Sequence, residues 1–327
     1  MAEALLRVEH LRVEFQTRRA KLVAVDDVSF EIAAGEVLGV VGESGAGKSV
    51  TGAAIIGLID RPGRIAAGRI VFAGERIDKL SPEKLRHIRG KRIGTIFQDP
   101  LTSLNPLYSI GRQLVETIMT HSEMSPRQAR ARAIELLAEV GIPAPAERFD
   151  HYPHHFSGGM RQRVVIALAL CANPQLVIAD EPTTALDVSI QAQIIALLKR
   201  LCRDHGTAVM LITHDIGVIA ETADRVAVMY AGRIAEIGPL SDIVKRPRHP
   251  YTVGLMGSIP SLTGAADRLA QIDGAMPRLN QIPAGCAFHP RCPRAFARCR
   301  AERPELIADG PAQVACWLYS PRERAHG

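Results

Sequence analysis

The stretch Gly42–Ser49, GESGAGKS, has the order Gly, four residues, Gly-Lys-Ser. That order wraps backbone N–H groups around a phosphate. Gly42, Gly45 and Gly47 let the amides turn inward, and a helix opening at the loop adds a field that favours anions. Lys48 is expected to reach the β- and γ-phosphates of a nucleoside triphosphate, and the Ser49 hydroxyl to ligate Mg²⁺. Glu43, Ser44, Ala46 and Val50 complete the expected binding segment. A second stretch, LVIADE (Leu176–Glu181), ends an apolar run with two carboxylates. Adjacent strand residues point to opposite sides, so the two acids can have different tasks. Asp180 is expected in the Mg²⁺ shell, and Glu181 is expected to orient or deprotonate the attacking water. Alone, such a pair is more often a helix-capping turn; with a phosphate loop in the same chain it reads as catalytic.

Ser157-Gly158-Gly159 opens an apolar helix in HFSGGMRQRVVIALAL. A hydroxyl, free N–H groups and close backbone approach at a helix start make a second anion site. The other chemistry-bearing set is four cysteines, Cys286, Cys292, Cys299 and Cys316, with only Cys171 and Cys202 elsewhere. Their spacing lacks the short paired loops of common zinc ribbons and the short ferredoxin spacing, so spacing alone selects no metal. Four thiolates fit tetrahedral zinc or an iron–sulfur cluster. Arg291, Arg294 and Arg298 beside them suit an anionic centre, and a loop-rich tail gains from a staple.

The elements that must position these residues follow from the periodicity. LLRVEHLRVEF and VAVDDVSFEI alternate like antiparallel sheet. EVLGVV is an apolar strand entering the phosphate loop, with a helix after it. A helix begins near Ser81-Pro82, serine capping and proline at the first position. KRIGTIF is a short buried strand ending at Gln98. SPRQARARAIELLAEVG has Ser125 as N-cap, residues 133, 136, 137 and 140 on one face, and Gly141 as stop. From QLVIAD to VAVMYAG, strands and helices alternate, which predicts a covered, largely parallel sheet. After about Gly238 the periodicity weakens and prolines accumulate, predicting a separate loop-rich appendage.

The 327 residues, 47% hydrophobic and 23% charged, allow a full core and exclude global disorder. No apolar run approaches the roughly 18 residues of a membrane helix. The N-terminus lacks the basic start and apolar centre of a secretory signal. A soluble cytoplasmic chain is therefore expected, and lasting disulfides are disfavoured. Of the net charge of +6, most falls after Ser241, where twelve Lys/Arg face seven Asp/Glu. These arginines are scattered among prolines and not lined along a helix face, so nucleic acid is not the expected partner.

In order, GESGAGKS, FSGGM and LVIADE resemble the Walker A, signature and Walker B motifs of ATP-binding cassette (ABC) ATPases, over Leu5 to about Gly238. The signature departs from the family at its first and last positions; Met160 cannot supply the amide of a glutamine. The resemblance implies that Gln98 is the Q-loop glutamine and a third Mg²⁺ ligand with Ser49 and Asp180. It further implies that Asp187 in TALD belongs to the D-loop, and that His214 contacts the γ-phosphate. Phe15 is the candidate to stack on adenine, with a core strand residue as the alternative. The implied fold is an α/β P-loop NTPase: a parallel-rich core sheet, an antiparallel β subdomain, an inserted helical subdomain at about 100–160, and a loop-rich metal-binding extension. The implied domains are 1–240, the nucleotide-binding cassette, and 241–327, the extension.

IFQDPLTSLNPLYSIGRQL, DEPTTALDVSIQAQI, RHPYTVGLMGSIP and GCAFHPRCP together resemble the ATPase subunits of dipeptide/oligopeptide ABC importers. Such a resemblance implies an ATPase coupled to transport, at the cytoplasmic face of the bacterial inner membrane as a peripheral subunit. Its partners would be a second ATPase subunit, two permease chains and an extracytoplasmic peptide-binding protein, with no nucleic acid. It also implies ATP, Mg²⁺ and a [4Fe–4S] cluster on Cys286, Cys292, Cys299 and Cys316, zinc being the alternative. Some relatives carry nickel or glutathione. A soluble ABC ATPase acting on nucleic acid or in cluster assembly is the competing class, but no long coiled-coil or zinc-hook insertion is visible.

Overall fold

The computed structural model describes residues 4–18, 20–184, 186–258 and 272–320. Twelve strands are found among them: β1 (Leu6–Gln16), β2 (Lys21–Ile32), β3 (Val37–Val41), β4 (Gly63–Phe72), β5 (Glu75–Arg76), β6 (Ile93–Ile96), β7 (Leu176–Asp180), β8 (Ala208–Thr213), β9 (Arg225–Tyr230), β10 (Arg233–Pro239), β11 (Ile307–Asp309) and β12 (Ala312–Val314). The chain divides into two compact units, one holding residues up to Ile32, Val37–Asp78 and those from Ile212 onward, the other Ala33–Glu36 and Lys79–Leu211.

In the first unit, β1 is the hub of an antiparallel sheet of order β2-β1-β4-β5, with Leu6 opposite Ile32 and Phe72. Leu6, Val8, Leu11 and Val13 are buried, as the alternating pattern predicts. A second set of strands runs β11-β12-β10-β9-β3. Here β3 is parallel to β9; β3 and the part of β9 after Arg225 are apolar, as in strands covered on both faces. Strands β9 and β10 form a hairpin whose turn residues, Ala231 and Gly232, both have positive φ (46° and 80°), the conformation that matches the twist of two-residue hairpins. The helix Lys48–Ile55 follows β3.

The second unit is built on β6 and β7, which are parallel, with β8 beside β7. Its helices include Ile110–His121, Pro126–Glu139, Gly158–Leu170 and Val188–His205. Ser125 caps Pro126–Glu139 in a full capping box with Gln128, and Ala133, Leu136, Leu137 and Val140 are buried, as expected from their spacing. Ser81 caps the helix Pro82–Ile88 through its side chain alone, which accepts from Lys84 N.

The tail is not the separate loop-rich appendage the sequence suggests. Strand β12 pairs with β10, placing Val314 opposite Glu236. The Arg248 side chain, 10% exposed, pairs with Asp242, Asp309 and Glu236. The backbone N–H groups of Arg248 and His249 donate to the Glu236 carboxylate. The tail is thus joined to the strands before it by sheet pairing and a buried ionic cluster, independently of any metal. Strands of three residues are too short to leave a periodic trace in sequence.

Candidate nucleotide site and cysteine centre

In the first unit, β3 delivers the chain into the loop Gly42–Ser49. Gly42 and Gly47 have φ of 152° and 99°. A Cβ on Gly42 would lie 2.3 Å from the Met229 carbonyl oxygen, and one on Gly47 2.7 Å from that of Ala24. Neither conformation nor space admits another residue. Lys48 is buried and donates from Nζ to the carbonyl oxygens of Gly42 (2.8 Å) and Glu43 (3.1 Å). Ala46 is buried beneath the loop, Val50 is half-buried, and Ser44, Gly45 and Ser49 form its exposed rim. Nothing lies within 4 Å of where a Cβ on Gly45 would sit, so this rim offers amides and a hydroxyl to an anion with the lysine beneath.

Two residues that sequence reasoning missed hold Glu43. Its backbone N–H donates to Tyr251 Oη (2.9 Å), and its carboxylate accepts from Arg291 Nη1 (2.9 and 3.1 Å). Burial pushes the Tyr251 phenol well above its usual range, so it stays protonated. Nothing local signals a pairing across 248 residues. The expectation that Arg291, Arg294 and Arg298 serve an anionic centre is corrected in two cases. Arg291 binds Glu43, and Arg298 stacks over Trp317 and pairs with Glu302; Arg294 does line the cysteine cavity.

His214 follows β8 and is exposed. Its neighbour Asp215 accepts from Gly217 N (2.8 Å) and Val218 N (3.3 Å), capping the helix Ile216–Thr222. Phe15, half-buried near the end of β1, is paired with Leu22 and Gly63, and a Cβ on Gly63 would lie 2.7 Å from its ring. Close packing against Gly63 thus accounts for one side of the ring.

In the second unit, Asp180 and Glu181 leave the end of β7 half-buried. Glu181 has φ 46°, a left-handed conformation that costs a non-glycine residue about 1–3 kcal/mol. Its Oε2 accepts from Gln98 Nε2 (3.0 Å) and Thr184 Oγ1 (2.8 Å). Ser157 caps the helix Gly158–Leu170, its Oγ accepting from Met160 N at 3.4 Å. Gly158 is exposed, whereas Gly159 is pressed against Ile190, where a Cβ would come within 2.9 Å. Asp187 is exposed at the N-cap position of Val188–His205 without a side-chain capping bond.

Cys286, Cys292, Cys299 and Cys316 all line one small cavity. Gly285 (φ 68°) lets the chain close on itself, Cys286 N donating to Cys299 O at 2.8 Å. Burial, then repulsion among the thiols, pushes Cys286 upward and Cys316 to about 12. Among the described residues, no three His, Cys, Asp or Glu converge closely enough to hold one metal ion. Cys171 and Cys202 are buried apart from this cavity, their thiols raised to about 12 by burial, as inert core residues. A much larger cleft of about 1190 Å³ in the first unit is lined by Arg12, Asp26, Arg233 and Arg303. All three arginines bind Asp26.

A glycine phosphate loop with a buried lysine, an acidic strand end and a glycine-opened helix define the class, an ATP-binding cassette ATPase. A family model for the ABC transporter matches residues 25–184, and one for the oligopeptide/dipeptide transporter C-terminal region matches residues 235–299. The chain is 50% identical over 309 residues to the dipeptide transport ATP-binding protein DppD of Escherichia coli K12, covering 94% of both chains. It is 45% identical over 317 residues to the oligopeptide transport ATP-binding protein AppD of Bacillus subtilis 168, covering 96% of this chain and 97% of that one. Among solved structures it resembles the ATP-binding cassette MJ0796 in a dimeric post-hydrolysis state bound to ADP and Pi. There the TM-score is 0.65 and the identity 29%, over 72% of this chain and 98% of the other. This chain belongs to the ABC transporter ATP-binding proteins, in the group of the dipeptide and oligopeptide transport subunits.

Proposed function

We propose that the chain is the ATP-hydrolysing subunit of an importer for dipeptides and oligopeptides. It acts from the cytoplasmic face of the bacterial inner membrane, with a second ATPase subunit, two permease chains and an extracytoplasmic peptide-binding protein. Peptides are supported by what the relatives are named for and by the likeness of residues 235–299 to the oligopeptide/dipeptide transporter C-terminal region. On this reading the chain divides into a cassette at 1–240, with a helical subdomain at about 100–160, and an extension at 241–327; the match of residues 235–299 to a separate family model supports a distinct C-terminal region. Among the described residues no helix is long and apolar enough to cross a membrane. The second unit exposes Phe97, Leu101 and Leu107, the latter two by 63% and 79%, an apolar set suited to docking a permease.

The amides of Gly42–Val50 and the Lys48 ammonium are assigned to the triphosphate, Phe15 to adenine, and His214 to the γ-phosphate. Ser49, Gln98 and Asp180 are the Mg²⁺ ligands; the ion, when bound, neutralises charge on the phosphates. Ser157, Gly158, Gly159 and Met160 contact ATP held by the partner cassette, with Asp187 along the same seam. Glu181 takes the proton from water as the water oxygen bonds to the γ-phosphorus and the bond to the β-bridging oxygen breaks. ADP and phosphate then no longer bridge the cassettes, and the pair opens to work the permease.

The hydrogen bond from Gln98 to Glu181 carries this reading. It joins the water-activating carboxylate to the segment that leads directly into the exposed apolar set. Glu181→Gln is expected to lower ATP turnover by at least about a hundredfold while ATP still closes the cassette dimer, read by gel filtration. Near-normal steady-state hydrolysis by that variant refutes the assignment.

The four cysteines are proposed to hold a [4Fe–4S] cluster, zinc being the alternative. Support comes from the four thiols lining one small cavity, four thiolates being the ligand set of such a cluster. Burial and mutual repulsion disfavour four thiolates without a cationic partner, and iron would supply that charge. Anaerobically purified protein is expected to be brown, with iron and sulfide in near-equal amounts; stoichiometric zinc and a colourless sample would exclude the cluster.

A further inference from the structure

Arg291 lies on the turn His289–Arg291, immediately before Cys292 and five residues after Cys286. Its side chain is 7% exposed. Nε donates to Asp273 O, and Nη2 to the carbonyl oxygens of Ile272 and Gly274. Nη1 donates to both Glu43 oxygens and, at 3.4 Å, to Tyr230 Oη. The fork of donors is therefore fully engaged. Tyr230, Tyr251 and Phe288 meet edge to face or tilted, with centroids 4.7–5.4 Å apart. Phe288 also lines the cysteine cavity. Glu43 is thus held at its N–H by Tyr251 and at its carboxylate by Arg291, both from the C-terminal region. Its own carbonyl oxygen is one of the two that receive Lys48 Nζ.

Taking Gly42–Ser49 as the nucleotide loop, we propose that Arg291 is a positioning residue for that loop. Through Glu43 it fixes where the loop carbonyls hold Lys48, and so couples the segment between Cys286 and Cys292 to nucleotide affinity. The chain of contacts is short: cysteine segment, guanidinium, Glu43, lysine. A part-buried ion pair in which one guanidinium nitrogen meets both carboxylate oxygens, while the other donors are tied to backbone, has few alternative geometries, so a displaced Arg291 displaces Glu43. By linkage the coupling runs both ways, and nucleotide in the loop must stiffen the segment 286–292.

The test uses the full chain with MgATP as probe. Arg291→Met is expected to raise the Kd for MgATP about tenfold, the scale of one charge-assisted hydrogen bond. KM rises with it, and kcat at saturation stays within about twofold. Glu43→Gln, which leaves Arg291 folded in place, should weaken binding in the same direction, and the double variant should be no worse than the poorer single one. Arg298→Met, on the same tail but without contact to Glu43, should leave the MgATP Kd unchanged. MgATP should slow amide hydrogen exchange in residues 286–292 of the parent, and not in Arg291→Met. Unchanged affinity in both Arg291→Met and Glu43→Gln overturns the coupling; so does an equal loss in Arg298→Met, which would mean that any weakening of the tail suffices. Lys48→Ala separates the two levels. If it too binds MgATP normally, the reading of the loop has failed; if it alone loses binding, only the role of Arg291 has.

Discussion

The phosphate loop and the cysteine segment are both short glycine-bearing turns, yet they are stabilised in different ways. Around Gly42–Ser49 most of the path is set locally, by a buried strand before, a helix after and positive-φ glycines, while Met229, Tyr251 and Arg291 close on it from distant parts of the chain. Around Cys286–Cys316 the segments have little regular structure of their own. Their order comes from distant residues, namely Arg248 with Glu236, Asp242 and Asp309, the pairing of β12 with β10, and Arg291 with Glu43. A region ordered by long-range polar contacts is sensitive to its partners in a way that a strand–loop–helix unit is not. That sensitivity suits a region whose state is read elsewhere.

The sharpest way to break this contrast is Arg248→Met. The substitution keeps much of the apolar stem but leaves Glu236, fully buried, without its cation, and Asp242 with only the exposed Arg246. Breaking a buried pair from one side costs about 3–5 kcal/mol, so the tail should detach or the chain should unfold at a markedly lower denaturant midpoint. The pH dependence has a definite sign. Burial already raises the Glu236 carboxyl above its usual range, and losing Arg248 raises it further. A carboxyl whose folded pKa exceeds its unfolded value favours the folded state below the unfolded pKa and loses that advantage as pH rises through the folded one. The deficit of Arg248→Met should therefore be largest near neutrality and shrink as pH falls toward the carboxylate range. A midpoint equal to the parent's at pH 7 would show that the tail does not depend on this cluster.

Legibility in the sequence follows the same division. The entry of β3 into the loop, Ser81 as a cap, the Ser125 capping box, the buried face at 133, 136, 137 and 140, and the acidic end of β7 each depend on residues within a few positions, and each was readable. The gathering of four cysteines in one cavity was expected from the resemblance to the peptide-importer ATPases, not from their spacing. Strands β11 and β12 were not, because three residues cannot show a period of two. The roles of Tyr251 and Arg291 were not, because hydrogen bonds spanning 208 and 248 residues leave no local pattern. Composition even pointed the wrong way for Arg291: an arginine next to a cysteine suggested an anionic centre, when its charge is spent on Glu43. The left-handed φ of Glu181 was likewise invisible, since a glutamate at a strand end shows nothing of its dihedral angle.

The smallest expected effect tests the locally determined side. Ser125 closes the N-terminus of Pro126–Glu139 through its side chain and through Gln128, which accepts from the Ser125 N–H at 2.9 Å. Ser125→Ala removes the hydroxyl but leaves Gln128 able to accept from the backbone, so half of the box survives. The cost should be about 1 kcal/mol, seen as a modest shift in denaturant midpoint with an unchanged slope. ATP affinity should not move, because the cap belongs to a different compact unit from the phosphate loop. A loss of several kcal/mol would mean that this helix, despite its local signals, depends on remote contacts as the cysteine region does, and the distinction between the two kinds of region would fall.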